Sequence, residues 1–383
     1  MNLNLDLDLR NGGIILLTVI VVVVVFSFLV LIHEAGHLFA AKKAGIKVEA
    51  FSLGMGKRLF GITKGGTDYR VSLLPFGGYC KMAGDDPQES EGKDDEFLAK
   101  PVGHRFWVVA AGALTNYIFA YILFSVIFMI GVPTLSNRVG EVLKGYPAEE
   151  AGVKAGDRII SINGGEVRYW DDIVENIKKN AREGKALTVS VERGDHIREL
   201  PVEPDISKVK NIFGQTITRP LIGIAPQSEL LSVSYGPVEA FYHGGRKLLG
   251  LTAMTYKGVW LLVTGGMPVK ASVSGPIGIA HLMGKAARVG IVPLLIITAH
   301  VSMALAIFNL LPFPVLDGGH ILFLGIEKIR NKPISARTQD VITNIALALL
   351  IAFALFISWN DLMKFTPLGK GEPRERTETV QEK

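Results

Sequence analysis

A chain of 383 residues with 49% hydrophobic side chains and only 20% charged ones is too apolar for an ordinary soluble enzyme, so membrane spans are sought first. The net charge of +5 is not gathered into a dense basic tract, which leaves a nucleic-acid role without support. One cysteine, Cys80, excludes an internal disulfide framework.

Asn11 to Ile32 carries no charge and is mostly Ile, Leu, Val and Phe. As a helix it is long enough to cross about 30 Å of hydrocarbon. A cleaved signal peptide is the competing reading. The flank opposes it, with Asp6 and Asp8 against one Arg10 and no small-x-small cleavage site at the far end. The run instead leads straight into HEAGH, His33 to His37, so a first span over 12–41 is expected. A second uncharged run, Phe106 to Leu135, gives a span over 106–135, and the first half of the membrane core is placed at 1–135.

Residues 136–205 look soluble. Strands are expected at Asp157–Ile162, Leu187–Glu192 and Ile197–Val202, with turns at Asn163–Gly165 and Gly194–Asp195. A helix over Trp170–Asn180 lies between them. Residues 206–288 form a connector, β-rich and irregular to about 236. Its segment at about 244–265 carries Lys247 and Lys257, so it reads as an interfacial amphipathic helix rather than a span. The second half of the membrane core is placed at 289–362, with spans over 289–316 and 338–360. The tail 363–383 is polar and, from Lys370, reads as disordered.

Charge sets the orientation. The loop after the first span holds Lys42, Lys43, Lys47, Lys57, Arg58, Lys64, Arg70 and Lys81, and the loop between the last two spans holds Lys328, Arg330, Lys332 and Arg337. The positive-inside rule places both in the cytosol, and therefore both termini and residues 136–288 outside.

The histidines of HEAGH are four apart and stack on one helix face, where both rings reach one zinc with Glu34 beside the bound water. Ionisable groups inside an apolar span are costly and mark function. The bland reading is a span end whose polar residues reach the interface. A catalytic zinc takes three protein ligands, so a third is sought. NLLPFPVLDGGH, Asn309 to His320, offers Asp317 or His320. Lys42 lies five residues after His37, roughly 7–8 Å along a helix, so the histidines sit shallowly below the cytosolic face. With four spans, Asp317 arrives at the same depth. A fifth span at 248–265 would send it to the opposite side.

HEAGH in the first span together with NLLPFPVLDGGH resembles the site-2 protease family of intramembrane zinc metalloproteases, above all the bacterial branch that includes the regulator of sigma-E protease. VSLLPFGGYCKM, Val71 to Met82, is similar to that family's re-entrant β-hairpin, expected here over about 66–84. AGALTN, Ala111 to Asn116, is similar to its second-span motif, with Ala113 where proline is common. SGPIGIA, Ser274 to Ala280, matches a segment before the third span. GYPAEEAGVKAGDRIISINGGEV, Gly145 to Val167, resembles a PDZ domain of the bacterial protease type.

The resemblance implies a polytopic α-helical membrane protein of four transmembrane helices with a re-entrant β-hairpin, carrying an inserted extracytoplasmic PDZ domain over 136–205. It implies His33, His37 and Asp317 as ligands of one zinc and Glu34 as catalytic base. Asn116 and Asn309, and Phe76, Gly77 and Gly78 of the hairpin, become candidate substrate-binding residues. Helix–helix hydrogen bonding is the alternative for the asparagines. Cys80 and His300 are left as packing residues.

The expected activity is cleavage of single-span membrane proteins in the plasma membrane after a first extracytoplasmic cut, releasing anti-sigma factors or clearing remnant signal peptides. The PDZ domain is expected to act as a size filter on the untrimmed substrate. The rival reading is a catalytically silent PDZ-bearing scaffold, which the intact HEAGH and Asp317 oppose. A metal transporter would show repeated halves and further intramembrane acids, and neither is visible.

Overall fold

A computed structural model describes residues 12–181, 185–211 and 213–365. The acidic N-terminal flank and the tail beyond 365 lie outside the described residues. In chain order, α1 (Gly12–Lys43) leads to β1 (Val48–Lys64), β2 (Thr67–Met82) and α2 (Val102–Ile130). Then come β3 (Val132–Leu135), β4 (Val139–Val142), α3 (Pro147–Glu150), β5 (Arg158–Ile162), β6 (Gly165–Glu166) and α4 (Trp170–Asn180). Next are β7 (Leu187–Arg193), β8 (His196–Val202), β9 (Asp205–Lys210), β10 (Thr216–Leu221), β11 (Ile224–Pro226) and β12 (Leu230–Val233). The chain closes with α5 (Pro237–Val263), α6 (Val269–Ser272), α7 (Pro276–Val289), α8 (Ile291–Asn309), α9 (Asp317–Arg330) and α10 (Ala336–Phe365).

Two compact units divide the chain. The first comprises residues 1–125, 244–255 and 269–383, the second 126–243 and 256–268. Among the described residues, four helices are long and apolar enough to cross a membrane: α1, α2, α8 and α10 to Lys364. This is a multi-pass membrane protein, and α5, with its lysines, is not among the four. Apolar side chains on all sides of α1 and α10 fit lipid contact, since few of them are buried in protein.

The helix ends correct the sequence reading. The expected span over 106–135 is a helix only to Ile130, because Gly131 takes φ 133° and Val132–Leu135 pairs as β3 with β12. The run over 289–316 starts a new helix after Gly290, at φ 148°, and ends at Asn309, ahead of two prolines. The α10 helix is fastened to α7 by Asp361, whose Oδ2 accepts 2.8 Å hydrogen bonds from the backbone N–H groups of Gly275 and Gly278 at the α7 start. That carboxylate satisfies donors a helix N-terminus leaves orphaned.

The hairpin is larger than expected. It spans Val48–Met82 rather than 66–84, turning at Gly65–Gly66, both at positive φ as a two-residue hairpin requires. Its Ala50–Leu53 stretch pairs with Gly78–Lys81 and also with Asp68–Val71. Ser27 Oγ of α1 donates to Pro75 O at 2.7 Å, so the middle of β2 is pinned to the first span.

The second unit is α+β. Strands run β6-β5-β7-β8, antiparallel, and close over a core of Ile159, Ile162, Ile173, Leu187, Val189 and Val191. The expected strands, helix and both turns fall within a residue of their places, with Asn163 and Gly164 at φ 49° and 77°. The 206–236 stretch supplies β9 to β12, of which β11 pairs with β4 and β12 with β3. The segment at 244–265 is the greater part of the longer α5.

Candidate metal centre

Near its C-terminal end, α1 presents His33 and His37 on one face, as the spacing of four dictates. His37 is buried, and its Nδ1–H donates to Val108 O of α2 at 2.8 Å. That bond fixes the tautomer and leaves the Nε2 lone pair free, the usual preparation of a ligating histidine. The two Nε2 atoms lie 3.2 Å apart. Asp317, first residue of α9, brings Oδ2 to 3.2 Å from His33 Nε2 and 3.6 Å from His37 Nε2. The three side chains are 11–17% exposed, so water reaches the cluster but does not flood it.

The donor set fits zinc. Ligands about 2.0–2.1 Å from a tetrahedral ion sit roughly 3.3 Å from one another, close to the separations found. Two imidazoles and a carboxylate at this spacing, pointing acceptor atoms inward, repel one another unless a cation or proton lies between them. Among the described residues this is the one group of His, Cys, Asp and Glu placed to hold a metal. His320, the competing third ligand, is outside it. It is exposed one turn along α9 and stands edge-on to Phe323 at 6.5 Å.

Glu34 is half-buried beside the cluster, within electrostatic reach of His33, His37 and Asp317. On its other side lies β2. A Cβ added to Gly78 would stand 3.5 Å from Glu34 Cγ, 3.1 Å from Val30 Cγ1 and 2.8 Å from Ser52 O. Only glycine lets the strand come this close to α1. Gly77 holds φ 80° next to Met55, and Phe76 belongs to β2 while its side chain lies outside the described residues. Burial, then the negative charge of Glu34, pushes the Cys80 thiol up to about 12, which makes it an inert packing group. His300 also packs, with Nδ1–H donating to Ile296 O at 2.7 Å and its ring edge-on to Phe124.

The residue that sequence reading missed is Gly112, the glycine of AGALTN. A Cβ there would fall 2.3 Å from His37 Nε2 and 2.8 Å from His33 Cε1. The backbone of α2 is thus the floor under both imidazoles. One turn on, Asn116 is buried at 1% exposure, and neither of its amide atoms has a hydrogen-bond partner, although its backbone O accepts from Ser302 Oγ at 2.8 Å. Asn309, half-buried, ends α8.

A family model, peptidase family M50, matches residues 21–353, a range that contains His33, His37 and Asp317. The chain belongs to peptidase family M50. As a member of M50 it is a zinc metallopeptidase by class. Its relatives include the zinc metalloprotease RasP of Geobacillus kaustophilus, 32% identical over 89% of this chain and 96% of that one. The regulator of sigma-W protease RasP of Bacillus subtilis is 31% identical over 88% and 96%. Among solved structures, the PDZ domain of an SdrC-like protein from Listeria monocytogenes is similar at 21% identity, covering 25% of this chain and 90% of that chain, with TM-score 0.20.

Proposed function

We propose that this M50 member is an intramembrane endopeptidase that cuts the transmembrane segments of membrane proteins, with His33, His37 and Asp317 holding one zinc and Glu34 as catalytic base. The observation that carries this is the convergence of two α1 histidines and the α9 aspartate inside the membrane unit, with a carboxylate next to them. When bound, zinc supplies Lewis acidity that polarises the scissile carbonyl and lowers the pKa of water to roughly 7.

Glu34 takes the proton of the attacking water and passes it to the leaving amine. The Val108 carbonyl keeps His37 in its ligating tautomer throughout. A transmembrane helix hides its amides in its own backbone bonds, so the scissile stretch must be held extended. The β2 strand beside Glu34, with Phe76, Gly77 and Gly78, supplies the edge for that by strand addition. An unpaired amide buried among apolar helices is costly, and Asn116 finds its partner in the unwound substrate backbone. Asn309, at the irregular turn into α9, serves the same segment.

The basic residues at the ends of α1 and α9 support an orientation with the centre toward the cytosolic face and the α+β unit and both termini outside. That unit is read as a PDZ domain over 136–205 and on to β11. Its helix α4 and the chain at Arg219–Ile224 border a cavity of about 270 Å³ lined by Tyr146, Trp170, Ile173, Ile177 and Leu221. Such a strand–helix groove takes an extended peptide end. Anti-sigma factors and remnant signal peptides left by a first extracytoplasmic cut are the substrate class.

The deciding experiment pairs wild type with Glu34→Gln in detergent, counting zinc and following cleavage of a single-span substrate. Zinc in both and cleavage only in wild type is the expected result, with the rate down about 10²–10⁴-fold in the variant. Active protein without zinc would sink the mechanism.

A further inference from the structure

Asp317 reaches the α1 histidines from the first turn of α9, so the position of its carboxylate depends on how α9 is held in register. Ten residues further on, at the other end of the helix, stands Glu327. Its two carboxylate oxygens receive Arg105 of α2, from Nη1 at 3.0 Å and from Nη2 at 2.5 Å. Arg105 is itself oriented by Nε–H donation to Lys100 O at 2.9 Å. Both side chains are largely buried, at 8% and 17% exposure. A planar fork on a carboxylate fixes orientation as well as distance, which a single hydrogen bond does not.

Arg105 is not placed at random on α2. Val108 and Gly112 follow it by three and seven residues, on the same helix face. Val108 O anchors His37, and Gly112 lies under both imidazoles. One stripe of one helix therefore holds the histidines at its middle and α9 at its end. Gly318 and Gly319 pack against the preceding turn, at Leu310, Leu311 and Phe313.

We infer that the Arg105–Glu327 pair is a strut that sets the position of the Asp317 carboxylate relative to His33 and His37, and that both are positioning residues for the metal centre. The inference rests on the zinc reading above. It goes beyond that reading by assigning a role to two side chains remote from the chemistry. Loss of the fork lets α9 shift along α2, and the three donor atoms no longer share one point.

Three variants of the full-length protein in detergent test it: Arg105→Lys, Glu327→Gln, and the double Arg105→Gln/Glu327→Gln, which leaves no unpaired buried charge. Zinc affinity is measured by chelator competition, and the melting temperature is measured on metal-stripped protein. Zinc binding is expected to weaken about 10- to 100-fold in the double variant, the range for outer partners of metal ligands, and by about tenfold in Arg105→Lys. The metal-free melting temperature of Arg105→Lys should stay near that of wild type. Wild-type zinc affinity in Arg105→Lys and in any other variant that folds overturns the strut, even where melting falls, because the pair is then only structural. Failure of the wild type to bind zinc is a separate outcome that overturns the zinc reading itself.

Discussion

At the scale of single residues, the centre is divided between what lies along one helix and what lies between two. HEAGH is legible in the sequence because a spacing of four is a local property: any helix through these residues stacks the two rings. Gly112 is not legible in that way, since its role depends on how closely α2 approaches α1. The structure makes it testable. Gly112→Ala replaces glycine by the best helix former, so α2 itself should gain, yet the new methyl would stand 2.3 Å from His37 Nε2. The expected outcome is protein that folds normally by circular dichroism and holds zinc at least about tenfold more weakly. His320→Ala is the companion measurement and should leave zinc content unchanged, because His320 stands outside the donor cluster.

At the scale of elements, legibility tracks periodicity. The existence and order of the four apolar helices and α4 can be read, because continuous apolar runs and 3.6-residue periods survive any tertiary arrangement, although α2 and α8 stop well before their uncharged runs do. The strand β1 reads in sequence only as a basic loop. Lys57, Arg58 and Lys64 hide it, although two glycines at 65–66 between two long uninterrupted stretches mark the hairpin. Its consequence is a folded-over sheet pressed on α1 where Glu34 sits. Gly78→Val should force β2 off that helix, since its Cβ alone would meet Ser52 O at 2.8 Å. The donor cluster does not involve β2, so zinc should remain while cleavage of a helical substrate falls by an order of magnitude or more. Equal losses of zinc and activity would instead make the hairpin a support of the metal centre.

At the scale of the whole molecule, the α+β unit carries a pH dependence of its own. Burial alone would raise the Asp157 carboxyl, but two bonds from Arg193 at 2.7 Å and the Lys154 backbone N–H outweigh it and hold the group below the usual aspartate range. A depressed folded value means that the stabilisation is complete above the unfolded aspartate pKa and drains away as pH falls through the lower folded one. Asp157→Asn should therefore lower the melting temperature at pH 7, and its deficit should shrink as both proteins are taken toward pH 3. A deficit constant across that range would make the contribution one of packing rather than charge.

Orientation is the other property of the whole chain, and it decides whether Asp317 and the histidines meet at one membrane face. On the proposed orientation, the basic residues at the ends of α1 and α9 face the cytosol, and four spans rather than five would bring Asp317 to that same side. Single cysteines at Lys332 and at Asp195, in a Cys80→Ser background, read this directly in intact cells. A membrane-impermeant maleimide should label Asp195→Cys and spare Lys332→Cys until the membrane is opened. Labelling of both positions from outside would require α5 to cross the bilayer, with its Lys247 and Lys257 buried in lipid, and would place Asp317 on the face opposite His33 and His37. The 3.2 Å approach of Asp317 to His33 excludes that arrangement within the membrane unit, so the labelling result and the donor geometry stand or fall together.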